Sequence, residues 1–263
     1  MGALKVPAWV VLHIPHDSTL IPHEVLSQFC LDETELREEL VRMTDHLTYA
    51  LFAEGIEGPC FVRAPVSRLV VDVERFPTDA NEPMASQGMG AVYRSTSLLT
   101  PLRHPISQTD RQALMALYYE PHHARLEAAV TASLALYGRC LLIDCHSFAG
   151  KALPYELADP AAVRPQICIG TDRFHTDTQL ARVFQTAFEA EGWQVALNHP
   201  FSGSMVPSSH YQKDARVKAV MLEVNRKLYL NEVDATPLGN FSQIATKVKD
   251  AMVAAVSAVE EID

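Results

Sequence analysis

The amino-acid sequence predicts an α/β fold that is built around parallel strands. Short apolar runs alternate along the chain with longer segments in which apolar residues recur at helical spacing. The run LLIDCHS, at residues 141–147 between Gly138 and Gly150, is typical of a strand that a parallel sheet buries on both faces. Ligands of open α/β sheets bind at the carboxyl ends of the strands. His146 and Ser147 are therefore expected close to a functional site.

The length, net charge and cysteine content of the chain limit its domain organisation and its partners. The length of 263 residues suits one large α/β domain or two small ones, and the lack of a repeat or clear linker favours one domain over residues 1–263. The formal net charge of −10 argues against a nucleic-acid partner, because phosphate contacts need clustered Lys and Arg. Five cysteines without a C-x-x-C pair suit a reducing compartment, and no apolar run approaches the ~20 residues of a membrane span. A cytoplasmic protein with no membrane partner is expected.

Three strands are predicted in the first third of the chain, at residues 8–14, 59–64 and 69–73. The first of these ends at His16, which Ser18 follows closely. This repeats the pattern of residues 141–147, an apolar run and then a histidine and a hydroxyl residue. If these two strands are neighbours in the sheet, their histidines can meet. His16 could instead simply end a strand beside a proline.

The segment 32–54 predicts one helix. Asp32 and Glu35 have capping-box spacing, and apolar residues follow at i, i+4 and i+7. Asp45 flanks this apolar face, where an acid is usually solvated. Thr44 could instead cap a second helix that starts there, which would expose Asp45 at its N-terminus.

Arginines and acids are concentrated after the second predicted strand. A strand pattern over residues 68–75 puts Arg68, Asp72 and Glu74 on one face, and Arg75 follows at the carboxyl end. Such a group is either part of a functional site or a structural Arg–Asp network. Residues 77–100 have little apolar periodicity and predict a long loop, which is usually a lid or an insertion.

The rest of the chain continues the alternation of helices and strands. Helices are predicted at residues 109–137 (interrupted by Pro121), 178–191 and 241–260. Strands are predicted at residues 141–147, 166–170, 194–197 and 217–224, with loops at 151–164 and 198–213. The last strand carries Glu223 near its end. A carboxylate there is costly to desolvate unless it is paired or used in chemistry.

The predicted strand ends and the segments beside them supply side chains that suit a hydrolytic zinc centre. Two neutral imidazoles and one carboxylate can hold a catalytic zinc ion that keeps a position for water. A separate glutamate can take the proton of that water, and arginines can neutralise a substrate carboxylate or an oxyanion. The side chains available for these roles are His16, Asp45, Arg68, Arg75, His146 and Glu223.

Seven segments in the same order carry a family resemblance. They are HIPHDS (13–18), TDHLTYALF (44–52), VSRLVVDVERFP (66–77), LLIDCHS (141–147), QICIGT (166–171), NHPFSG (198–203) and MLEVNRKLYL (221–230). With these segments the chain resembles the N-formylglutamate amidohydrolase (N-formylglutamate deformylase) family, which is similar in fold to zinc carboxypeptidases and aspartoacylase-like deacylases. The resemblance implies a single-domain α/β fold with a mixed, mostly parallel sheet and helices on both faces. It also implies Zn²⁺, or another divalent metal, at the carboxyl ends of the strands.

The resemblance also implies a role for individual residues. The metal ligands would be His16, Asp45 and His146, and Glu223 would be the general base. Arg68 would face the scissile carbonyl, and Arg75 would grip a substrate carboxylate. Apart from the resemblance, Ser147 is a further candidate for binding the substrate, and Tyr211 is either an extra hydrogen-bond donor to it or a packing residue.

The chain departs from the related pattern at two positions. The related deacylases take their third ligand from a glutamate three residues after the first histidine, where this chain has Thr19, and Asp45 is the expected replacement. An asparagine precedes the carboxylate-binding arginine in the related pattern, whereas this chain has Glu74. In the predicted strand 141–147, Asp144 points the same way as His146 and is expected to orient a ligand or an arginine, whereas Cys145 faces away.

The implied reaction is hydrolysis of N-formyl-L-glutamate to formate and L-glutamate, a final step of histidine degradation. The expected partner is therefore a small anionic N-acyl amino acid. Two alternatives remain open at this point. One is a zinc deacylase or carboxypeptidase-like hydrolase that acts on another N-acyl amino acid, and the other is a relative that binds a ligand without catalysis.

Overall fold

Most of the predicted strands assemble into one central sheet in the computed structural model, which describes residues 4–159 and 161–261. The described strands are β1 (Leu4–Lys5), β2 (Val10–Ile14), β3 (Ile56–Glu57), β4 (Cys60–Arg63), β5 (Cys140–Phe148), β6 (Ile167–Gly170), β7 (Val195–Leu197) and β8 (Val217–Asn225). Six of them form the central sheet in the order β4, β2, β5, β8, β6 and β7. All neighbours in this sheet are parallel except β6 and β8, which are antiparallel.

Helices cover both faces of this sheet. The described α-helices are α1 (His23–Leu26), α2 (Glu33–Met43), α3 (Thr48–Phe52), α4 (Gln108–Leu114), α5 (Glu120–Tyr137), α6 (Thr178–Ala190) and α7 (Phe241–Glu260). Apolar side chains of α3, α6 and α7 pack on one face, and those of α5 pack on the other. The prediction of a mixed, mostly parallel α/β fold with helices on both faces is confirmed.

The alternation of side chains along β5 separates the core from the polar residues. Ile143 and Cys145 lie in the apolar core beneath α3 and α7. Asp144 and His146 point to the opposite face, as predicted, where they contact each other. The carboxyl half of β5 is therefore polar on one face only, and that face carries the candidate site.

The predicted helix over residues 32–54 is wrong as a single element. The helix α2 ends at Met43, and α3 begins at Thr48 after Leu47, whose φ of 66° lies in the left-handed region. Thr44 is the C-cap of α2 and is not the N-cap of a second helix. Asp45 lies in this break, and its backbone N–H donates to the carbonyl of His16 (2.9 Å). The break thus turns Asp45 inward, where it is 4% exposed.

The predicted strand over residues 69–73 is also wrong. The segment folds as successive turns, in which the N–H of Val70 donates to Ser67 and that of Asp72 donates to Ala91. Leu69, Val70 and Val71 are still buried, because an irregular layer of loops and α4 covers them. A continuous apolar run has the same pattern in a buried turn and in a buried strand.

The remaining elements lie close to their predicted ranges. The helix over 109–137 contains a π-helical turn at Met115–Tyr119, directly before Pro121 in α5. The predicted loops hold only short 3₁₀ helices among their described residues, at Pro83–Gln87 and Pro154–Glu156. In the part of the chain that the structure describes, no helix is long and apolar enough to cross a membrane. The single domain over 1–263 stays a prediction.

Candidate active site

Three neighbouring strands deliver the main candidate residues to one edge of the sheet. His16 follows β2, His146 lies near the end of β5, and Glu223 lies near the end of β8. His146 and Glu223 are direct partners in the register of β5 and β8. Because these strands are parallel, their carboxyl ends meet at the same edge, as the sequence predicts.

The three predicted metal ligands form one compact, buried group. The Oδ2 atom of Asp45 lies 3.0 Å from Nδ1 of His146 and 3.8 Å from Nδ1 of His16. One ligand atom from each residue lies within 4.8 Å of the other two. Two nitrogens and one oxygen at this spacing form a donor set that suits zinc with an open position.

In both histidines, carboxylates contact the Nε2 atom, whereas Nδ1 is the ring nitrogen nearer to Asp45. Nε2 of His16 lies 2.8 Å from Oδ1 of Asp72. Nε2 of His146 lies 3.1 Å from Oδ1 of Asp144 and 3.1 Å from Oε2 of Glu74. Such partners fix the ring tautomer, so that Nδ1 of each histidine keeps a lone pair for a metal ion. Asp144 therefore contacts the histidine that the sequence predicts it to orient, and the orienting role itself stays a prediction.

The unsatisfied atoms of the group also fit a metal ion. Nδ1 of His16 is buried and has no hydrogen-bond partner. Burial and Arg68 oppose protonation of His16, yet Asp72 and Asp45 raise its pKa above the ordinary value. Burial also opposes ionisation of Asp45, but His146 and His16 hold its pKa well below the ordinary value. The group therefore attracts positive charge, which a divalent ion supplies while displacing protons.

Asp72→Asn is expected to weaken zinc binding about 10- to 100-fold, because His16 loses the anionic partner that orients its ring. The measurement is the Kd for Zn²⁺ in competition with a coloured chelator. Asp79→Asn is the matched control, since Asp79 pairs with Arg111 at the surface (3.2 Å) and touches neither histidine. An unchanged Kd in Asp72→Asn contradicts the orienting role.

Glu223 has the environment of a general base. Its side chain is buried, and its Oε2 atom has no hydrogen-bond partner. Burial raises the pKa of Glu223 to about 8, with His146 opposing the shift and Asp45 adding to it. A carboxyl group poised near neutral pH can both accept and return a proton.

The two predicted arginines, Arg68 and Arg75, both contact the carboxylate of Asp72. Nη2 of Arg68 donates to Oδ2 of Asp72 (2.8 Å), and Nη1 of Arg68 lies 4.0 Å from Oδ1 of Asp45. Nε of Arg75 lies 3.7 Å from Oδ2 of Asp72 and has no hydrogen-bond partner. Arg68 is thus fixed beside the metal-ligand group, while Arg75 keeps donors for another anion.

The residues predicted to bind substrate are placed differently from one another. The backbone N–H of Ser147 donates to Oδ2 of Asp45 (3.2 Å), and its buried hydroxyl has no partner. Tyr211 is not brought to the site. Its ring stacks on His175, whose Nδ1 bonds the carbonyl of Val217 at the amino end of β8. The Ser147 prediction fits the site geometry, whereas the Tyr211 prediction is not supported, because a loop residue carries no signal of which sheet edge it reaches.

Glu74, which stands where the related pattern has an asparagine, contacts two histidines. Its Oε2 atom contacts His146, and its Oε1 atom lies 3.5 Å from Nδ1 of His13. The extra acid is therefore paired with imidazoles.

Sequence reasoning missed several residues that support the site. The hydroxyl of Tyr93 bonds Asp72 and contacts Nε of Arg68. His13 bonds Asp144 (2.8 Å) from the neighbouring strand. Only His13 had a sequence signal, since a polar residue within the apolar strand AWVVLHI needs a buried partner.

Arg226 connects the end of β8 to the break that holds Asp45. It lies three positions after Glu223, and its Nη1 atom donates to the carbonyls of Arg42 (2.8 Å) and Thr44 (2.9 Å). These carbonyls are at the C-terminus of α2, where a cation is favourable. The guanidinium therefore fastens the segment just before Asp45.

Fold and site together describe an α/β protein with a candidate hydrolytic metal centre at the carboxyl ends of its strands. The chain belongs to the N-formylglutamate amidohydrolase family, whose model matches residues 8–230. An N-formylglutamate deformylase of Pseudomonas aeruginosa is 28% identical over 239 residues, which cover 87% of this chain and 84% of that protein. The family prediction is confirmed.

Two solved structures share the fold. The N-formylglutamate amidohydrolase of Ralstonia eutropha superposes with a TM-score of 0.86 at 19% identity, covering 99% of this chain and 98% of the other. A gene product of Agrobacterium tumefaciens superposes with a TM-score of 0.67 at 20% identity, covering 97% of this chain and 93% of the other. These likenesses extend over nearly the whole chain and agree with the predicted architecture.

Proposed function

We propose that this protein is a metal-dependent amidohydrolase that cleaves N-formyl-L-glutamate to formate and L-glutamate. The observation that carries the proposal is the family match over residues 8–230, which spans every residue of the candidate site. The buried group of His16, Asp45 and His146 supports metal dependence, because its ligand atoms lie within 4.8 Å of one another.

The division of labour follows from the positions of the side chains. A zinc or other divalent ion held by His16, Asp45 and His146 would lower the pKa of water from 15.7 to about 7 and polarise the formyl carbonyl. Glu223, opposite His146 on the next strand, accepts the proton of the attacking water and returns it to the leaving amine. Arg68 donates to the oxygen on which negative charge develops.

Arg75 holds a carboxylate of the substrate in this proposal. Its Nε atom is buried and has no hydrogen-bond partner, and it can form paired hydrogen bonds with a carboxylate. The net charge of −10 does not attract an anion as a whole, so the binding energy has to come from such a local group.

The direct test is release of the free amino acid by the purified, zinc-loaded chain from N-formyl-L-glutamate, N-acetyl-L-glutamate and N-formyl-L-alanine, with formate or acetate measured as the second product. We expect a preference for the formyl group and for the second carboxylate. Faster turnover of N-acetyl-L-glutamate would identify a different N-acyl amino acid as the substrate. No turnover of any of the three, with metal bound, contradicts the proposal and indicates a ligand-binding relative.

Arg75→Gln is expected to raise KM for N-formyl-L-glutamate about 10- to 100-fold, since a hydrogen bond to a charged group contributes roughly 1.5–3 kcal/mol. The value of kcat is expected to change less, because the contact is made in the ground state and the transition state alike. Steady-state kinetics measure both constants.

Two controls accompany this variant. Arg37→Gln removes an exposed arginine that pairs with Glu33 on α2, and Tyr211→Phe removes a hydroxyl that bonds Gln212. Both are expected to keep KM within about twofold, in line with ordinary surface substitutions. If Arg75→Gln behaves like these controls, another group binds the substrate carboxylate.

The reaction would complete a histidine-degradation route in an organism that uses one. A cytoplasmic location is part of this proposal. It is supported by the five cysteines, all of which are free thiols, as is usual in a reducing compartment.

A further inference from the structure

A second group of potential metal ligands lies on the far side of His146. It consists of His13, Glu74 and Asp144, and one ligand atom from each lies within 4.8 Å of the other two. His13 and Asp144 are direct partners in the register of β2 and β5. The sheet itself therefore holds these two side chains together, and Glu74 reaches them from the turns after Arg68.

The second group is buried and incompletely bonded. His13 is 0% exposed, Asp144 is 1% exposed and the side chain of Glu74 is 17% exposed. Nδ1 of His13 lies 2.8 Å from Oδ1 of Asp144 and 3.5 Å from Oε1 of Glu74. That Oε1 atom is buried and has no hydrogen-bond partner. An ionised oxygen in this condition is costly unless a cation neutralises it.

The ring of His13 is held in the orientation that a ligand needs. Its Nε2 atom lies 2.8 Å from Nε2 of His122, which is itself 0% exposed. Burial favours the neutral form of an imidazole, so Nε2 of His122 can accept a proton from His13. With its proton on Nε2, His13 would present the lone pair of Nδ1 to a metal ion, which would replace the present hydrogen bond between Nδ1 and Asp144. Nitrogen and carboxylate oxygens so arranged need a positive charge between them.

The two carboxylates of the second group have histidines as their ion-pair partners. Among the described ion pairs, Glu74 and Asp144 pair with the imidazoles of His13 and His146 and with no guanidinium or ammonium group. A divalent ion between the two carboxylates would supply the positive charge that neutral imidazoles do not.

We propose that His13, Glu74 and Asp144 bind a second divalent transition-metal ion beside the first. The imidazole of His146 lies between the two sites, since its Nδ1 atom faces Asp45 and its Nε2 atom faces Glu74 and Asp144. One imidazole nitrogen and two carboxylates suit zinc or manganese and disfavour calcium, which prefers oxygen ligands alone. The site is independent of which N-acyl amino acid the enzyme cleaves.

The experiment is a count of bound zinc. The full chain is stripped of metal with a chelator, loaded with Zn²⁺, desalted and analysed for zinc per chain. We expect two equivalents in the wild type and one in both His13→Gln and Glu74→Gln. His123→Gln is the matched control with two equivalents, because His123 neighbours His122 but bonds the carbonyl of Val73 (2.8 Å) and belongs to neither group of potential ligands among the described residues.

The outcomes separate this proposal from the proposed function. One equivalent in the wild type that is lost in His146→Ala overturns the second site and leaves the first. Two equivalents that persist in both His13→Gln and Glu74→Gln place the second ion elsewhere and also overturn it.

A crystal of the wild type covers the case in which His13→Gln does not fold. Anomalous scattering at the zinc edge is expected to give two peaks, one of them at coordination distance from Nδ1 of His13. A single peak between His16 and His146 overturns the second site.

Discussion

Replacing Glu223 by glutamine is expected to lower kcat for N-formyl-L-glutamate about 10²- to 10⁴-fold, the range associated with loss of a general acid–base. Glutamine has nearly the same shape, so the packing at the end of β8 is preserved. It cannot accept a proton from the attacking water or return one to the leaving amine. The measurement is formate release under saturating substrate, with bound zinc determined in the same sample.

The pH dependence gives this variant a second, more specific readout. The wild-type kcat/KM is expected to rise with pH as Glu223 loses its proton, because only the carboxylate can act as a base. Burial holds the pKa of Glu223 at about 8 in the metal-free protein, and a nearby cation lowers it, so the midpoint is expected below pH 8. This limb should be absent in Glu223→Gln.

The control for Glu223→Gln is Glu57→Gln. Glu57 is exposed on β3, far along the chain from the strand that carries Glu223. It should keep both the wild-type rate and the wild-type pH profile. A fully active Glu223→Gln enzyme would falsify the general-base assignment.

Loss of His146, which we propose as a metal ligand, is expected to have an equal or larger effect. In His146→Ala, formate release should fall at least about 10³-fold, because the pKa of a water without a metal ion is 15.7. The variant should also lose the equivalent of zinc that the group of His16, Asp45 and His146 holds in the wild type. Chelation of the wild type should give the same loss, and added Zn²⁺ should restore activity to the wild type but not to the variant.

Thermal unfolding tests the same ligand without an activity assay. Zinc at 100 times the Kd of the site formed by His16, Asp45 and His146 stabilises the folded wild type by about 2.7 kcal/mol through that site, and this contribution should be missing in His146→Ala. His23→Ala, at the exposed start of α1, should respond to zinc as the wild type does. Equal stabilisation of wild type and His146→Ala would remove His146 from the ligand set.

The sequence predicted the strands of the sheet better than the connections between them. The runs around His146 and Glu223 are apolar, short and bounded by turn residues, so local pattern and tertiary burial agree. The segment 69–73 has the same apolar character, but its turns are set by contacts with Ala91 and the layer that covers it. Such contacts between distant segments leave no mark in a local window.

The candidate site was likewise predicted only in part from the sequence. His16, His146 and Glu223 come together because parallel strands end at one edge, which the order of elements already implies. The approach of Asp45 depends on the left-handed Leu47, a conformation that no pattern in the sequence indicates. The family-like segment TDHLTYALF indicates Asp45, whereas no such segment contains Tyr211.

The hydrogen bonds from Arg226 to the carbonyls of Arg42 and Thr44 connect two parts of the candidate site. Strand β8 carries Glu223 near its end and leads directly into Arg226, whose guanidinium bonds the carbonyls of Arg42 and Thr44, just ahead of Asp45. A shift of the end of β8 is therefore expected to move Glu223 and the segment before Asp45 in the same direction. We therefore expect the distance between Glu223 and Asp45 to vary little, even though nearly 180 residues separate the two acids along the chain.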